Sequence, residues 1–298
     1  MFDIRKLKNI TLQDKNLLQM FLQSLNEFSC EMSFANLAMW HTAYQTQFAF
    51  DDAGRLILYS PVEKMIYFPR GKAISPSELA ELSSTFAANG LTENVIYDIP
   101  PDYFTANPDA EKFFTIDDNE DNYDYLYDNQ HLRDCNGSKL RKKRNLIKQF
   151  SVNCPDFEII ELDEKSSERF LALALKLNSA LEPCDFLTDE DKVMDFACKN
   201  FRELELDGIL LADGCGNDVG FSMWSYLNSS TADIHFEKAD HSAKGAAQFL
   251  TRETAAVLCA KNIRYMNREQ DLGDEGIRRA KHSLDPEFLY KRVSATGR

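Results

Sequence analysis

Residues 232–269 read ADIHFEKADHSAKGAAQFLTRETAAVLCAKNIRYMNRE, and the period of their hydrophobic residues changes twice. Apolar and polar residues alternate over 232–239, which predicts a strand with one polar face. Apolar residues then recur at helical spacing over 245–261, and alternation returns over 264–269. The stretch therefore predicts a strand, a helix and a second strand, joined as a β-α-β crossover.

Polar side chains gather on both predicted strands, near the start of the helix. His235 and Glu237 are expected side by side on the first strand, while Asn267 and Glu269 share a face of the second. The helix begins at Gly245, where free backbone N–H groups and the positive end of a helix dipole can hold an anion. We therefore predict a ligand site at this end of the sheet.

Two longer runs resemble a known family. They are HFEKADHSAKGAAQF with YMNREQDLGDEGIRRAKHSLDP, and, upstream over 124–150, DYLYDNQHLRDCNGSKLRKKRNLIKQF. Both are similar to the C-terminal domain of phosphatidylglycerol lysyltransferases and to its soluble bacterial relatives, which are related to Fem-type aminoacyl transferases. The resemblance implies an α/β (α+β) fold of two tandem GNAT-like domains across essentially the whole chain, each a mixed twisted sheet flanked by helices. It also implies an aminoacyl-tRNA donor.

Length and charge indicate how the chain is divided. Its 298 residues are 44% hydrophobic, enough for one large or two ordinary domains. Up to Asp128 there are 9 Lys and Arg against 20 Asp and Glu, whereas the remainder has 25 against 28. We predict an N-terminal GNAT-like domain over 1–128, and a C-terminal domain over 129–298 that carries the transferase site. The net charge of −14 argues against a general binder of nucleic acid or anionic membranes.

Composition also bears on location and metals. No apolar run approaches the roughly 18 to 20 residues that span a bilayer, and the N-terminus MFDIRKLKNI is charged. We therefore expect a cytoplasmic protein without an integral membrane segment. Seven cysteines, Cys184 among them, form no CxxC pair, so neither a disulfide framework nor a metal site is predicted.

The turn before the predicted helix is the candidate donor loop. Acyl-CoA-using GNAT enzymes have a Q/R-x-x-G-x-G/A turn there, because glycine lets the backbone approach a pyrophosphate. The nearest match here, over 241–247, has one of the two glycines. The candidate donor-binding residues are Lys244, Gly245, Ala246 and Ala247. Small residues at a helix start also serve to pack the helix on a sheet, so this alternative stays open. The corresponding turn over 69–72 matches less well, and we expect the first domain to be non-catalytic.

Candidate catalytic residues lie on the two strands. Glu237 and His235 could take the proton of an acceptor, since either can be tuned towards neutral pH. The alternative is that Glu237 forms a structural ion pair, for example with Arg268. Asn267 and Glu269 belong to a polar run that must be satisfied by a ligand or by an internal network.

Substrate-binding candidates surround this site: Arg268, Asp271, Lys281 and Arg144. In the resembled family, a Gly-x-x-x-x-Lys stretch followed by a proline lies near the substrate cleft, and Gly276, Lys281 and Pro286 match it. Leu284 stands where the resembled family usually has an aromatic residue. Arg144 belongs to a basic helix, 138–150, that could hold phosphates of a tRNA or a lipid head group, or could neutralise the acidic run before it.

These observations favour a transferase that moves an acyl or aminoacyl group to an amine or hydroxyl acceptor, such as a lipid head group or a small molecule. The resemblance implies aminoacyl-tRNA as the co-substrate, whereas the fold more often uses a coenzyme A thioester. A catalytically silent binding module is the third possibility. The sequence does not indicate an oligomeric state.

Overall fold

The structure, a computed structural model, describes residues 2–180 and 185–298. These residues form two separate seven-stranded sheets with helices packed on them. Each sheet mixes parallel and antiparallel pairs. The predicted fold class is therefore confirmed. Cys184 lies outside the described residues, as does the chain immediately before the second helix of the C-terminal half.

The first sheet has the strand order β1-β2-β3-β4-β5-β14-β6. Its strands are β1 (Lys8–Asn9), β2 (Gln47–Phe50), β3 (Leu56–Ser60), β4 (Met65–Tyr67), β5 (Val95–Ile99), β6 (Phe114–Asp117) and β14 (Val293–Gly297). The second sheet has the order β13-β7-β12-β11-β10-β9-β8. Its strands are β7 (Asp124–Asp128), β8 (Glu158–Glu161), β9 (Asp207–Ala212), β10 (Asp218–Asn228), β11 (Thr231–Ala239), β12 (Tyr265–Asn267) and β13 (Phe288–Tyr290).

The α-helices follow the chain between these strands. They are α1 (Lys15–Leu25), α2 (Phe34–Tyr44), α3 (Pro76–Ala88), α4 (Pro101–Ala106), α5 (Asn129–Asp134), α6 (Arg141–Asn153), α7 (Ser167–Asn178), α8 (Asp185–Lys199), α9 (Ala246–Ala260) and α10 (Glu275–His282). Across the described residues, no helix has the length and apolar character needed to cross a bilayer. The pattern of apolar residues indicates a helix over 190–204, but the helix there, α8, begins and ends earlier and is followed by turns.

Both halves use the predicted order of a meander followed by a crossover. In the first half, β2, β3 and β4 are antiparallel neighbours, and α3 connects β4 to the parallel strand β5. In the second half, β8 to β11 form the meander, and α9 connects β11 to the parallel strand β12. Ser75 and Glu78 form a capping box at the start of α3, where Pro76 is the first helical residue, as the sequence indicates.

The C-terminal end of the chain crosses back to the first sheet. The sequence indicates one last strand near 289–293, but the structure has two strands there. β13 pairs with β7 in the second sheet, whereas β14 pairs with β5 and β6 in the first. The break between them falls at Arg292, whose side chain turns into the interior. A division of the chain at residue 128 therefore leaves β7 and β14 each in the sheet of the other half.

The two halves also share one hydrophobic core. The largest cluster of buried side chains combines Leu18 and Met39 of the first half with Phe170, Met194 and Phe221 of the second. One face of the second sheet packs on α7, α8 and the first half through this cluster. The opposite face packs on α6 and α9 through a second cluster that includes Phe150, Ile234 and Phe249. The second sheet is thus buried on both faces.

A buried arginine links the sheets at this junction. Arg292 is 1% exposed, and its guanidinium donates to Asp98 Oδ1 at 3.2 Å and to Asp124 Oδ1 at 2.9 Å. Asp98 lies on β5 of the first sheet, while Asp124 begins β7 of the second. Asp124 also accepts the backbone N–H of Cys30 at 2.9 Å. One side chain therefore neutralises a carboxylate from each sheet.

We expect Arg292→Met to lower the free energy of unfolding by about 3–5 kcal/mol, because it leaves two buried carboxylates without their shared counter-charge. Arg279→Met is the control, since the Arg279 side chain is 75% exposed and its contact with Glu275 is 3.9 Å. Urea denaturation of both variants measures the effect. A loss for Arg292→Met no larger than that of the control would contradict the assigned role of this residue.

Candidate active site between the splayed strands of the second sheet

The candidate site is a gap between two parallel strands. β11 and β12 pair over three positions, the last of which places Asp233 opposite Asn267. β11 continues to Ala239, whereas β12 ends at Asn267. The sequence indicates a strand as far as Glu269, but Glu269 has a left-handed backbone with φ of 56°, which a strand does not accommodate. The strands therefore part, and side chains bridge the gap.

A β-bulge in β11 decides which side chains face each side of this gap. The partners of Phe236 and Ile234 on β10 are consecutive residues, so His235 is an extra residue in β11. Side-chain alternation is interrupted at that point. The expectation that His235 and Glu237 lie on one face is therefore wrong, because their side chains lie on opposite faces of the sheet.

His235 lies on the face that packs against the first half. Its Nε2 atom is 2.8 Å from Ser225 Oγ, which in turn is 3.1 Å from Oγ of Ser33, at the N-cap of α2. Its Nδ1 atom is 3.4 Å from Glu269 Oε1 and 3.6 Å from Asp233 Oδ2. The imidazole thus connects two hydroxyl groups to two carboxylates inside the protein.

Asp233 is the least satisfied group of this network. Its side chain is fully buried, and neither carboxylate oxygen has a hydrogen-bond partner among residues 2–180 and 185–298. Burial, and then the negative charges of Glu269 and Asp124, raise the pKa of Asp233 well above its usual range. Burying an ionised carboxylate without donors costs several kcal/mol. This face of the gap therefore holds a buried carboxyl group that has no hydrogen-bond partner in the described part of the chain.

Glu237 lies on the opposite face, towards α9. Its Oε1 atom accepts a hydrogen bond from Thr251 Oγ1 at 2.6 Å and forms an ion pair with Arg268 Nη2 at 2.9 Å. Arg268 also donates to Thr251 Oγ1 at 3.2 Å. The ion pair with Arg268, the alternative to a catalytic role, is thus present. Glu237 Oε2 is buried and has no hydrogen-bond partner within the described part of the chain.

Asn267 connects the end of β12 to the first half of the chain and to β7. Its amide donates to the carbonyl of Phe28 at 2.7 Å and to Asp124 Oδ2 at 3.0 Å, and its oxygen accepts the backbone N–H of Glu269 at 2.7 Å. Because both ends of the amide are engaged, Asn267 positions Glu269 and has no group directed at a substrate.

Lys281, on α10, holds the chain that follows β12. Its Nζ atom donates to the backbone carbonyls of Arg268 at 2.5 Å, Glu269 at 3.0 Å and Gln270 at 2.5 Å. Burial lowers the pKa of Lys281 to about 8, with the positive charge of Arg268 adding to this shift and the negative charge of Glu269 opposing it. The lysine therefore lies beside the gap, where it fixes the turn that presents Glu269.

Asp271 belongs to an internal network beyond this turn. It accepts from Arg278 Nε at 2.8 Å, from Arg278 Nη2 at 2.7 Å and from the hydroxyl of Tyr125 at 2.7 Å. Burial would raise the pKa of Asp271, but the hydrogen bonds from Arg278 and Tyr125 outweigh it and lower the pKa to about 2. The structure thus places Asp271 in an internal hydrogen-bond network, which is the alternative to a role in substrate binding.

The candidate donor loop is covered by a neighbouring helix. Lys244 is exposed and Ala247 half-buried, whereas Gly245 and Ala246 are buried. Gly245 has φ of 90°, and a Cβ atom there would lie 2.2 Å from the carbonyl oxygen of Leu146 on α6. The glycine is therefore required by the close approach of α6, which is the packing alternative noted for this turn.

Two bases of α6 differ in their surroundings. Arg144 donates to the carbonyls of Cys135 at 2.6 Å and Gly137 at 2.9 Å, which closes the loop before the helix. Burial and the nearby positive charge of Arg268 lower the pKa of Lys143. Lys143 therefore lies close to the Glu237 side of the gap, while Arg144 has a structural partner at its guanidinium.

Comparison with known proteins identifies the family. Residues 22–295 match the family described as phosphatidylglycerol lysyltransferase, C-terminal. The chain belongs to this family.

Solved structures of similar fold include relatives of this lysyltransferase family. A conserved protein of unknown function from Bacteroides thetaiotaomicron is 28% identical, with a TM-score of 0.88 and 100% of each chain covered. The C-terminal domain of a putative lysylphosphatidylglycerol synthetase from Agrobacterium fabrum is 13% identical, with a TM-score of 0.65 over 95% of this chain and 91% of that one. FemX is 10% identical, with a TM-score of 0.59 over 97% and 96% of the two chains. These likenesses show that the chain shares the fold of the lysylphosphatidylglycerol synthetase C-terminal domain and of FemX.

In this member of the lysyltransferase C-terminal family, three residues at the gap were not predicted from the sequence. Ser33 and Ser225 are 192 positions apart, and isolated serines carry no local signal. Asp233 stands in the alternating strand, but a polar residue there is expected to have partners. The one available signal was an aspartate two residues before a histidine on a strand that is otherwise buried.

We expect Gly245→Ala to destabilise this family member by at least about 1 kcal/mol more than Gly216→Ala. Both glycines have a left-handed φ, which costs about 1–2 kcal/mol for other residues. A Cβ at Gly216 meets nothing within 4 Å, whereas a Cβ at Gly245 meets the Leu146 carbonyl, and overpacking adds about 1–3 kcal/mol. Chemical denaturation measures both values. Equal losses would show that α6 does not press on the start of α9.

Proposed function

We propose that this protein transfers an aminoacyl group from aminoacyl-tRNA to an amine or hydroxyl acceptor, in the gap between β11 and β12. The acceptor class is a lipid head group or a small molecule. Glu237 is the proposed general base. Membership of the lysyltransferase family supports the reaction class, and the charges and packing around the gap support the donor.

The observation that carries the proposal is the state of Glu237. Thr251 and Arg268 hold one carboxylate oxygen at 2.6 and 2.9 Å, which orients the group, while the buried Oε2 atom has no partner within the described ranges. An oriented carboxylate with one free oxygen can accept a proton from a bound nucleophile. Glu237 can therefore form the ion pair through one oxygen and act as the general base through the other.

The two faces of the gap carry opposite charge. Arg268 and Lys143 lie on the Glu237 side, and Asp233 and Glu269 lie on the His235 side. An aminoacyl ester of a nucleotide carries phosphates at its nucleotide end, which the positive charges of Arg268 and Lys143 attract. The charge distribution supports such a donor entering from the side of α6 and α9.

The packing of α6 on Gly245 disfavours coenzyme A as the donor. A pyrophosphate would have to approach the backbone at the start of α9, and the Leu146 carbonyl occupies the side of Gly245 that a Cβ would take. The same helix carries exposed bases next to this point. They are Arg141, Lys142, Arg144 and Lys148. These bases supply local positive charge for RNA phosphates in a protein whose net charge is −14.

The proposed step balances with the donor and acceptor alone. The acceptor nitrogen or oxygen attacks the carbonyl carbon of the aminoacyl ester and gives its proton to Glu237 Oε2. The bond between that carbon and the ribose oxygen then breaks, and Glu237 gives the proton to the released ribose oxygen, which becomes a hydroxyl. Arg268, held beside Glu237, contributes positive charge where the carbonyl oxygen becomes negative.

The test is a transfer assay with bacterial tRNA charged with labelled amino acids, using phosphatidylglycerol vesicles and small amines as acceptors. We expect Glu237→Gln to lower turnover by about 10²-fold or more, with donor binding unchanged, because it removes the proton acceptor and keeps the size. Glu253→Gln is the matched control, since Glu253 is also a partly buried glutamate that pairs with an arginine, Arg252.

Melting temperatures of the same variants separate the two roles of Glu237. Normal turnover with a lowered melting temperature would reduce Glu237 to an ion-pair partner and refute the proposal. Transfer from acetyl-coenzyme A without transfer from charged tRNA would assign the donor to the acyl-CoA class. Ligand binding without any transfer would favour the silent binding module.

A further inference from the structure

Three potential metal ligands converge on the His235 side of the gap. Asp233, His235 and Glu269 each offer one ligand atom, and the three atoms lie within 4.8 Å of one another. Asp233 and His235 are two residues apart in β11, so strand alternation places them on one face. The left-handed turn at Glu269, held by Lys281, brings the third carboxylate to them. The cluster is thus assembled from the alternation of β11 and the turn that follows β12.

Asp233 indicates independently that this cluster holds a ligand. Its side chain is fully buried, and no donor reaches either carboxylate oxygen within the described residues. Both oxygens are therefore available to a cation, and Oδ2 is 3.6 Å from His235 Nδ1. A buried polar group without a partner requires an explanation, and a bound ion is one of the recognised ones.

Neighbouring cations do not neutralise the cluster. Arg292 is engaged by Asp98 and Asp124, and Arg70 by Asp98 and Glu27. Glu31 adds a further carboxylate at 3.6 Å from Arg292. These two arginines already face more carboxylates than they can neutralise. His235 Nδ1 is the basic atom that contacts both Asp233 and Glu269, at 3.6 and 3.4 Å. Lys281 lies beside Glu269, but its Nζ atom is engaged by three backbone carbonyls.

We propose that Asp233, His235 and Glu269 bind one divalent metal ion that favours mixed nitrogen and oxygen ligands, such as Zn²⁺ or Mn²⁺. Imidazole and carboxylate ligands suit these ions, whereas Mg²⁺ prefers oxygen ligands alone. Ser225 Oγ is 2.8 Å from the other ring nitrogen, Nε2, and can accept its N–H when Nδ1 binds a metal, which is the outer-shell arrangement that fixes a metal-binding imidazole. No cysteine takes part, so the absence of CxxC pairs does not bear on this site.

The two ligand spacings that involve His235 fit a metal ion better than an ammonium group. His235 Nδ1 is 3.4 Å from Glu269 Oε1 and 3.6 Å from Asp233 Oδ2. Tetrahedral bonds of about 2.1 Å place ligand atoms roughly 3.4 Å apart. Hydrogen bonds of about 2.8 Å around an ammonium nitrogen would place them roughly 4.6 Å apart. The Glu269 side chain is 22% exposed, which provides a route for the ion and a position for a further ligand.

The experiment uses the full chain, stripped of metal and then titrated with Zn²⁺ or Mn²⁺. We expect one equivalent of metal per chain, measured by elemental analysis after gel filtration. We also expect a rise in melting temperature that a chelator reverses, because an ion that binds only the native state stabilises it by mass action. Mg²⁺ at the same concentration should give a smaller rise.

Two variants show whether the metal is at this cluster. Asp233→Asn keeps the shape and should abolish the bound equivalent and the thermal shift. Glu237→Gln, on the opposite face of the sheet, should retain both. If Asp233→Asn does not fold, Glu269→Gln at the partly exposed position replaces it, with the same expectation.

Three results would overturn the proposal. They are failure of the wild type to bind Zn²⁺ or Mn²⁺ at 1 mM or below (roughly 4 kcal/mol of binding free energy), undiminished binding by the Asp233 variant, and a thermal shift with lysinamide but not with metals. The last result would assign the cluster to an amine. None of these readouts measures transfer, so failure here leaves the proposed aminoacyl transfer standing, and failure of that activity leaves the metal site standing.

Discussion

The two halves of this protein depend on one buried guanidinium. Arg292 stands between the last strand of the second sheet and the last strand of the first, and it joins Asp98 of one sheet to Asp124 of the other. The burial of three charges is tolerable only because each has its counter-charge and further hydrogen bonds. As a consequence, the C-terminal chain end completes the first sheet, and the halves form one folding unit with a shared core.

That junction also frames the candidate site. Asp124 holds Asn267, and Asn267 holds the backbone of Glu269, so the end of β12 is fixed from the side of the first half. Lys281 fixes the same turn from the other side by binding three successive carbonyls. The gap between β11 and β12 is therefore fixed at the end of β12, and it is bridged on one face by Glu237 and Arg268 and on the other by His235 and Glu269. A frame fixed in this way can hold a catalytic group in one orientation.

The sequence predicts the fold well and the site in part. Period changes over 232–269 locate β11, α9 and β12, because alternation and helical spacing are local properties. The strand exchange of β14 is not local, since nothing near 293–297 indicates which sheet will accept it. The bulge at His235 is likewise set by pairing with β10, so simple alternation placed His235 and Glu237 on one face. Gly245 was recognised as special, but whether a ligand or a helix required it depended on Leu146, about a hundred residues away.

The central claim is that the gap receives the acyl group of an aminoacyl-nucleotide donor. The most direct measurement is the crystal structure of this protein with a non-hydrolysable 3′-aminoacylamino-adenosine. The account predicts that the amide carbonyl of this analogue lies in the gap beside Glu237 Oε2, with the nucleoside towards α6. An analogue bound outside the gap, or a Glu237 carboxylate that does not contact it at full occupancy, would contradict the account.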